Sequence, residues 1–245
     1  MVLKADYHVH TNLSDGKSSI ESVVTAAIDK GLECVCITDH GFSNILCAMS
    51  TEKAVYARGE IDRLNAIYGG KVKILLGVEA NLLNLDGLTD IHGLDRSMFD
   101  VVLLAYHFSA RHSRQMVLSY MKALTANMKK RRTERFTRAF MRAMERYDIT
   151  IIAHPCHPAD LDMRLLAQCA KEHNTALEIS CKHPIDYRKL VPALDTGVAY
   201  VISSDAHEAM NVGRFDVGLR IAECAGIGED RIVNNTLWKQ LGVRD

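Results

Sequence analysis

The sequence predicts an α/β fold in which seven β-α units curl into a distorted parallel barrel, one domain over residues 1–245. Three observations carry this. Short apolar runs alternate with amphipathic helical stretches along the whole chain. The runs are continuous and rich in leucine or β-branched residues, as strands buried on both faces are. Repeated right-handed crossovers of this kind build a parallel sheet, and seven of them in one compact unit favour closure. A chain of 245 residues suffices, since a single α/β barrel can use all of that length.

The elements follow in order. Residues 3–7 form the first strand. Ser18-Ser19-Ile20-Glu21 reads as a capping box opening a helix that runs to Lys30 and is closed by Gly31. Strand 34–38 leads to helix 51–68, stopped by Gly69-Gly70. Strand 73–78 is followed by two short alternating pieces within 81–92, around Asp86-Gly87, so a β-hairpin is expected there. Strand 101–106 precedes a long helical stretch, 113–147, readable as one helix or two. Strand 150–153, helix 162–173, strand 176–179, helix 187–196, strand 199–203, helix 216–225 and a short helix 235–241 complete the chain. No internal repeat or proline-rich linker divides it, and it holds only 4 prolines.

Composition excludes several classes. Lys+Arg and Asp+Glu are both 30, a formal charge of zero, which argues against nucleic acid as a partner. The longest apolar run, Val101 to Tyr106, is six residues, far below the ~20 needed to span a bilayer. The first residues, Met1 to Asp6, show no basic region followed by an apolar stretch, so a cytoplasmic home is expected. Seven cysteines fall mostly inside apolar runs, and Cys34-x-Cys36 has no matching pair. Reduced core thiols are expected, not a zinc ribbon.

The histidines are less ordinary. In barrels of this type the site is built at the carboxyl ends of the strands. Strand one runs into His8-Val9-His10 and then Asp15-Gly16, strand two into Asp39-His40, and strand three into Glu79. Strand four runs into His107, strand five into His154-Pro155, and strand seven into Asp205-Ala206-His207. Six of the eleven histidines thus share one edge. Residues two apart on an extended segment face the same side, so His8 with His10, and Asp205 with His207, can converge on one cation. Imidazole and carboxylate together suit zinc, manganese or iron better than magnesium or calcium. Asp39, beside His40, is expected to orient a ligand or bond backbone amides. His157 and His183 lie near the same rim, within reach of a substrate.

In order and context these segments resemble the PHP (polymerase and histidinol phosphatase) family of metal-dependent phosphoesterases. The segments are His8-Val9-His10-Thr11, Ser14-Asp15-Gly16, Ile37-Thr38-Asp39-His40-Gly41, Gly77-Val78-Glu79-Ala80-Asn81, Ala153-His154-Pro155 and Ser204-Asp205-Ala206-His207. The resemblance extends from Asp6 to about Leu241 and is strongest to the compact stand-alone bacterial members. It implies a distorted (β/α)7 TIM-like barrel and three divalent metal ions, zinc first, with manganese or iron as alternatives. By the resemblance, one metal takes His8, His10, Glu79 and Asp205. A second takes Glu79, His107 and His154, and a third takes Asp15, His40 and His207. Asp15 stands where some stand-alone members carry His.

The resemblance further implies hydrolysis of a small-molecule phosphate monoester by metal-activated hydroxide, with His8, His10, Glu79 and Asp205 as its supporting ligands. Clustered divalent cations acidify water and neutralise phosphoryl oxygens. Arg111, Arg114, Lys182 and Arg214 are candidate substrate contacts near the rim. A histidinol-phosphate phosphatase is the nearest rival. A nuclease acting on nucleic acid ends is another, although the one basic run, Lys129 to Arg132, reads as a solvated helix face. Homo-oligomerisation is left open.

Overall fold

A computed structural model describes residues 1–121 and 125–241. Seven strands stand in sequence order and pair in parallel: β1 (Ala5–Val9), β2 (Cys34–Ile37), β3 (Lys73–Asn81), β4 (Val101–Ala105), β5 (Ile151–Ile152), β6 (Ala176–Ser180) and β7 (Tyr200–Ser203). The helices between and after them are α1 (Ile20–Asp29), α2 (Thr51–Tyr68), α3 (Arg114–Met121), α4 (Ala126–Arg146), α5 (Met163–Glu172), α6 (Asp216–Ala225) and α7 (Leu237–Gln240). Two cores result. Outward strand residues such as Val35, Ile37, Leu76, Leu104 and Ile202 pack with the apolar faces of the helices. Inward residues, among them Ala5, Tyr7, Cys34, Cys36, Leu75 and Leu103, fill the barrel.

The barrel closes between its first and last strands, mostly without a ladder. One parallel bridge joins Val9 to Ala206, where His10 N donates to Ala206 O at 2.8 Å. Farther down, the buried Asn234 side chain fills the gap. Its Nδ2 donates to Ala5 O (2.9 Å) and Ile202 O (2.7 Å), and its Oδ1 accepts from Ile202 N (2.9 Å). An amide with both donors and acceptor can stand in for a missing strand. Buried Asp6 adds a second tie, accepting from Ser204 N (3.1 Å) and Gly213 N (2.9 Å).

β1 carries one residue too many for its partner. Asp6 pairs with Val35 and Val9 with Ile37, so three steps on β1 face two on β2. Such a bulge resets the alternation of side chains. Tyr7 therefore points into the barrel floor, where its hydroxyl donates to Asn234 O (2.8 Å). His8 and His10 both turn toward the mouth, where their Nε2 atoms lie 3.1 Å apart.

Several expectations are corrected. The first strand starts two residues later than 3–7 and takes in His8. The third continues through Asn81, so Glu79 lies within it. The helix expected over 187–196 is two 3₁₀ segments, Tyr187–Lys189 and Val191–Thr196. Pro192 withholds an amide donor there, and left-handed Gly197 ends the run. α1 is capped by Ser19, whose side chain accepts from Ser22 N, while Ser18 Oγ accepts from Ala209 N (2.9 Å) instead. The 81–92 hairpin is reduced to one antiparallel bridge, Leu82 with Thr89, around left-handed Gly87. Of the two readings of 113–147, the structure has two helices, α3 and α4. No helix among the described residues is long and apolar enough to cross a membrane.

Candidate metal centre

The nine ligand-type residues read from the sequence meet at the carboxyl mouth of the barrel. β1 brings His8 and, one residue past its end, His10; Asp15 sits on the following loop. Gly16 lets that loop fold back: a Cβ there would lie 2.6 Å from the His10 carbonyl carbon. Glu79 is at the centre. Its Oε1 lies 2.7 Å from His154 Nε2, 3.2 Å from His107 Nε2 and 3.4 Å from His8 Nε2. Its Oε2 lies 2.9 Å from His40 Nδ1 and 3.6 Å from His10 Nε2. Asp205 Oδ1 is 3.5 Å from His10 Nε2 and 4.0 Å from His8 Nε2. Asp15 Oδ2 is 3.3 Å from both His40 Nε2 and His207 Nε2.

Donor atoms cluster within 4.8 Å in three overlapping sets: His10, Asp15, His40 and His207; His8, His10 and Glu79; and His40, Glu79 and His107. His10 belongs to two of them, because its Nδ1 faces Asp15 Oδ1 (3.6 Å) while its Nε2 faces Glu79. The apportionment implied by the resemblance gave His10 to one group only.

Other residues hold these donors in place. Glu178, which sequence reading passed over, is fully buried on β6. It receives His8 Nδ1 at 2.9 Å and His154 N at 2.7 Å. His107 Nδ1 donates to Asn81 Oδ1 (2.8 Å), and half-buried Asp90 in turn receives Asn81 N and Nδ2 (2.8 and 2.7 Å). In both chains Nδ1 is engaged, so the Nε2 lone pair is free for a cation. Asp39 receives the amide and hydroxyl of Thr11 (2.7 and 2.6 Å) and the Ser14 hydroxyl. It braces the loop that carries Asp15. His154 (φ 27°) and Asp205 (φ 53°) are both left-handed, a strain concentrated at the site.

The electrostatics fit a cation. Burial would raise Glu79, but the imidazoles of His107, His8 and His40 outweigh it and hold the carboxyl well below its usual range. Burial and His40 push His10 well down, leaving it neutral. Burial likewise opposes charge on His40, yet Glu79 and Asp15 lift it to about 10. Protons on such imidazoles are what a divalent ion displaces when it binds. The buried His10 Nδ1 has no hydrogen-bond partner, and such an orphan is costly unless something else engages it. The residues therefore fit divalent metal.

The basic candidates separate. Lys182 lines the mouth, with Nζ 2.7 Å from His207 Nε2 and 3.9 Å from Asp205 Oδ1. Arg214 lines an adjoining cavity that shares Lys182, Asp205 and His207. Arg114 lines a groove between α3 and α4 with Arg131, Arg132 and Arg135. Arg111 lines none of these three cavities. His157 and His183 do line the mouth, stacked with ring centroids 4.1 Å apart.

Comparison with known proteins settles the family. The PHP domain model matches residues 6–191. The chain belongs to the PHP family. A protein named "Probable phosphatase" from Caldanaerobacter subterraneus is 29% identical over 97% of this chain and 89% of its own. The DNA polymerase/3'-5' exonuclease PolX of Bacillus subtilis is 29% identical over 90% of this chain but only 37% of its own. Among solved structures, the histidinol phosphate phosphatase of Lactococcus lactis, complexed with zinc, L-histidinol and phosphate, superposes with a TM-score of 0.59. It shares 17% identity and covers 100% of this chain and 95% of its own, which supports the PHP barrel fold.

Proposed function

We propose that this protein is a metal-dependent phosphatase that hydrolyses a phosphate monoester of a small molecule. The observation that carries the reading is the convergence of nine imidazole and carboxylate side chains on one barrel mouth, with the buried His10 Nδ1 unpartnered. Full-length similarity to proteins named as phosphatases supports it. The three overlapping donor sets support three ions, and the imidazole-rich mixture favours zinc. His8, His10, Glu79 and Asp205 would hold the first, Glu79, His107 and His154 the second, and Asp15, His40 and His207 the third. When bound, such ions acidify water and neutralise the phosphoryl oxygens.

The chain supplies the rest. Glu178 and Asn81 fix the tautomers of His8 and His107. Lys182 stands at the mouth with N–H donors for a phosphoryl oxygen. A mouth of about 330 Å³ admits a phosphate with a modest leaving group, with His157, His183 and Phe108 on its walls. Seven cysteines without a disulfide suit a reducing compartment, and we place the protein in the cytoplasm.

The test is phosphate release from a panel of small phosphomonoesters, histidinol phosphate included, by zinc- or manganese-loaded protein. Turnover that His10→Ala abolishes is expected. Cleavage of single-stranded DNA ends with no ester hydrolysed would move the assignment to a nuclease.

A further inference from the structure

Next to the metal-site mouth lies a second cavity, of about 380 Å³. The two share one wall, made of Lys182, Asp205 and His207. On the far side of the second cavity stands Arg214. Its guanidinium makes one hydrogen bond, from Nη1 to Asn211 Oδ1 at 2.9 Å, and no carboxylate lies within ion-pair distance of it among the described residues. Guanidinium carries five N–H donors in a planar fork that matches a carboxylate or a phosphate. Most of Arg214's donors are therefore unspent, and they belong to an exposed side chain at the cavity edge.

Lys182 meets one carboxylate, at the edge of ion-pair distance. Its ammonium rests on the His207 ring, and Asp205 at 3.9 Å is its only ion-pair neighbour among the described residues. Three acids also line this cavity. Asp205 belongs to the metal-type donors, Glu208 is bound by Lys17 at 2.6 Å, and Asp216 opens α6. The loop bearing Arg214 is anchored: Gly213, left-handed at φ 70°, donates its amide to buried Asp6 at 2.9 Å. The backbone that carries Arg214 is thus anchored beside the metal centre, and most of the guanidinium's donors remain free.

We propose that the cavity between Lys182 and Arg214 is a subsite for a second acidic group on the substrate, so that the preferred phosphomonoester carries a further carboxylate or phosphate. This rests on the phosphatase reading. The scissile phosphate occupies the mouth, Lys182 stands between the two anions and can donate to either, and Arg214 closes on the second. An arginine fork discriminates strongly for a planar or tetrahedral anion, since a neutral group there leaves its donors unpaired.

The experiment is calorimetric binding to metal-loaded protein of three non-hydrolysable probes, phosphonoacetate, 3-phosphonopropionate and 4-phosphonobutyrate. Each is compared with the alkylphosphonate of equal length. At one chain length the acid should bind at least ten-fold tighter than its neutral counterpart. Arg214→Gln should bring that ratio to within two-fold, and Arg214→Lys should recover part of it. The kcat/KM ratio between a carboxylated phosphomonoester and its uncharged equal should fall in step. Plain monoesters hydrolysed with no preference for the second acid at any length would overturn the subsite alone. A preference that survives in Arg214→Gln would also overturn it. Failure to bind any phosphonate, together with no ester turnover, would remove the phosphatase reading and the subsite with it.

Discussion

Glu178→Gln is the sharpest test of how the centre is held. The carboxylate is fully buried and divides its two oxygens, one toward His8 Nδ1 at 2.9 Å and one toward His154 N at 2.7 Å. Glutamine is the same shape but has one acceptor and an NH₂. Whichever way the amide turns, its NH₂ meets an N–H donor. Facing the main chain of His154, it leaves a buried amide unsatisfied, a cost of about 1–3 kcal/mol. Facing His8, it drives the imidazole proton from Nδ1 to Nε2, and Nε2 is the atom 3.4 Å from Glu79 Oε1 and 3.1 Å from His10 Nε2. The lone pair meant for a cation is then lost. Removing an outer partner of a ligating histidine lowers metal affinity by about 10–100-fold, or about 1.4–2.7 kcal/mol. Two titrations measure this: zinc against a competing chelator, and urea unfolding of the metal-free protein. Weaker zinc binding of that size is expected in a variant whose circular dichroism is unchanged. Zinc affinity within two-fold of wild type would refute the idea that Glu178 fixes the His8 tautomer.

Four further outcomes are expected. Glu79→Gln should lower metal stoichiometry by more than one ion, because Oε1 lies against His8 and His107 and Oε2 against His40, imidazoles of different donor sets; His40→Ala should centre its loss on the Asp15 and His207 group, and anomalous diffraction locates what remains. Asn234→Ala should destabilise the protein by about 3 kcal/mol or more in urea unfolding, since it orphans three buried main-chain groups at ~1–3 kcal/mol each before relaxation. Chelation should stop turnover while far-ultraviolet circular dichroism stays largely intact, since the chain builds two large apolar cores of its own.

Strands buried on both faces announce themselves as unbroken apolar runs, and the polar residue that ends each run marks the mouth. That is why eight of the nine candidate ligands stand at or just past the end of an apolar run, while Asp15, on the loop after β1, was read through the family resemblance. Glu178 was hidden by the same logic, because it lies inside a run and not at its end. Its signal was present nonetheless: a lone acid in Ala176-Leu177-Glu178-Ile179-Ser180 cannot be buried without donors facing it. The bulge in β1 left no mark in composition, since an extra residue changes register and not residue type. Nor did local sequence reveal Asn234, whose partners Ala5 and Ile202 are distant in the chain. The proline in Val191-Pro192-Ala193 did signal that a regular helix over 187–196 would fail, and the helical period masked it.

The closure between β1 and β7 has a consequence for synthesis. His8 leaves the ribosome early, Asp205 and His207 late, and Asn234 later still. A nascent chain of 200 residues already holds six strands and seven of the nine ligands, yet the free edge of β1 has nothing to close against. Contacts between ends this far apart in sequence form last and slowly. Until then the incomplete sheet exposes two unpaired strand edges, the form in which such proteins are vulnerable to aggregation and to proteases. A chain terminated prematurely would carry most of the histidines without the architecture that makes them a site. Asn234 fills the gap in that closure, so chains ending before and after residue 234 should differ in protease resistance.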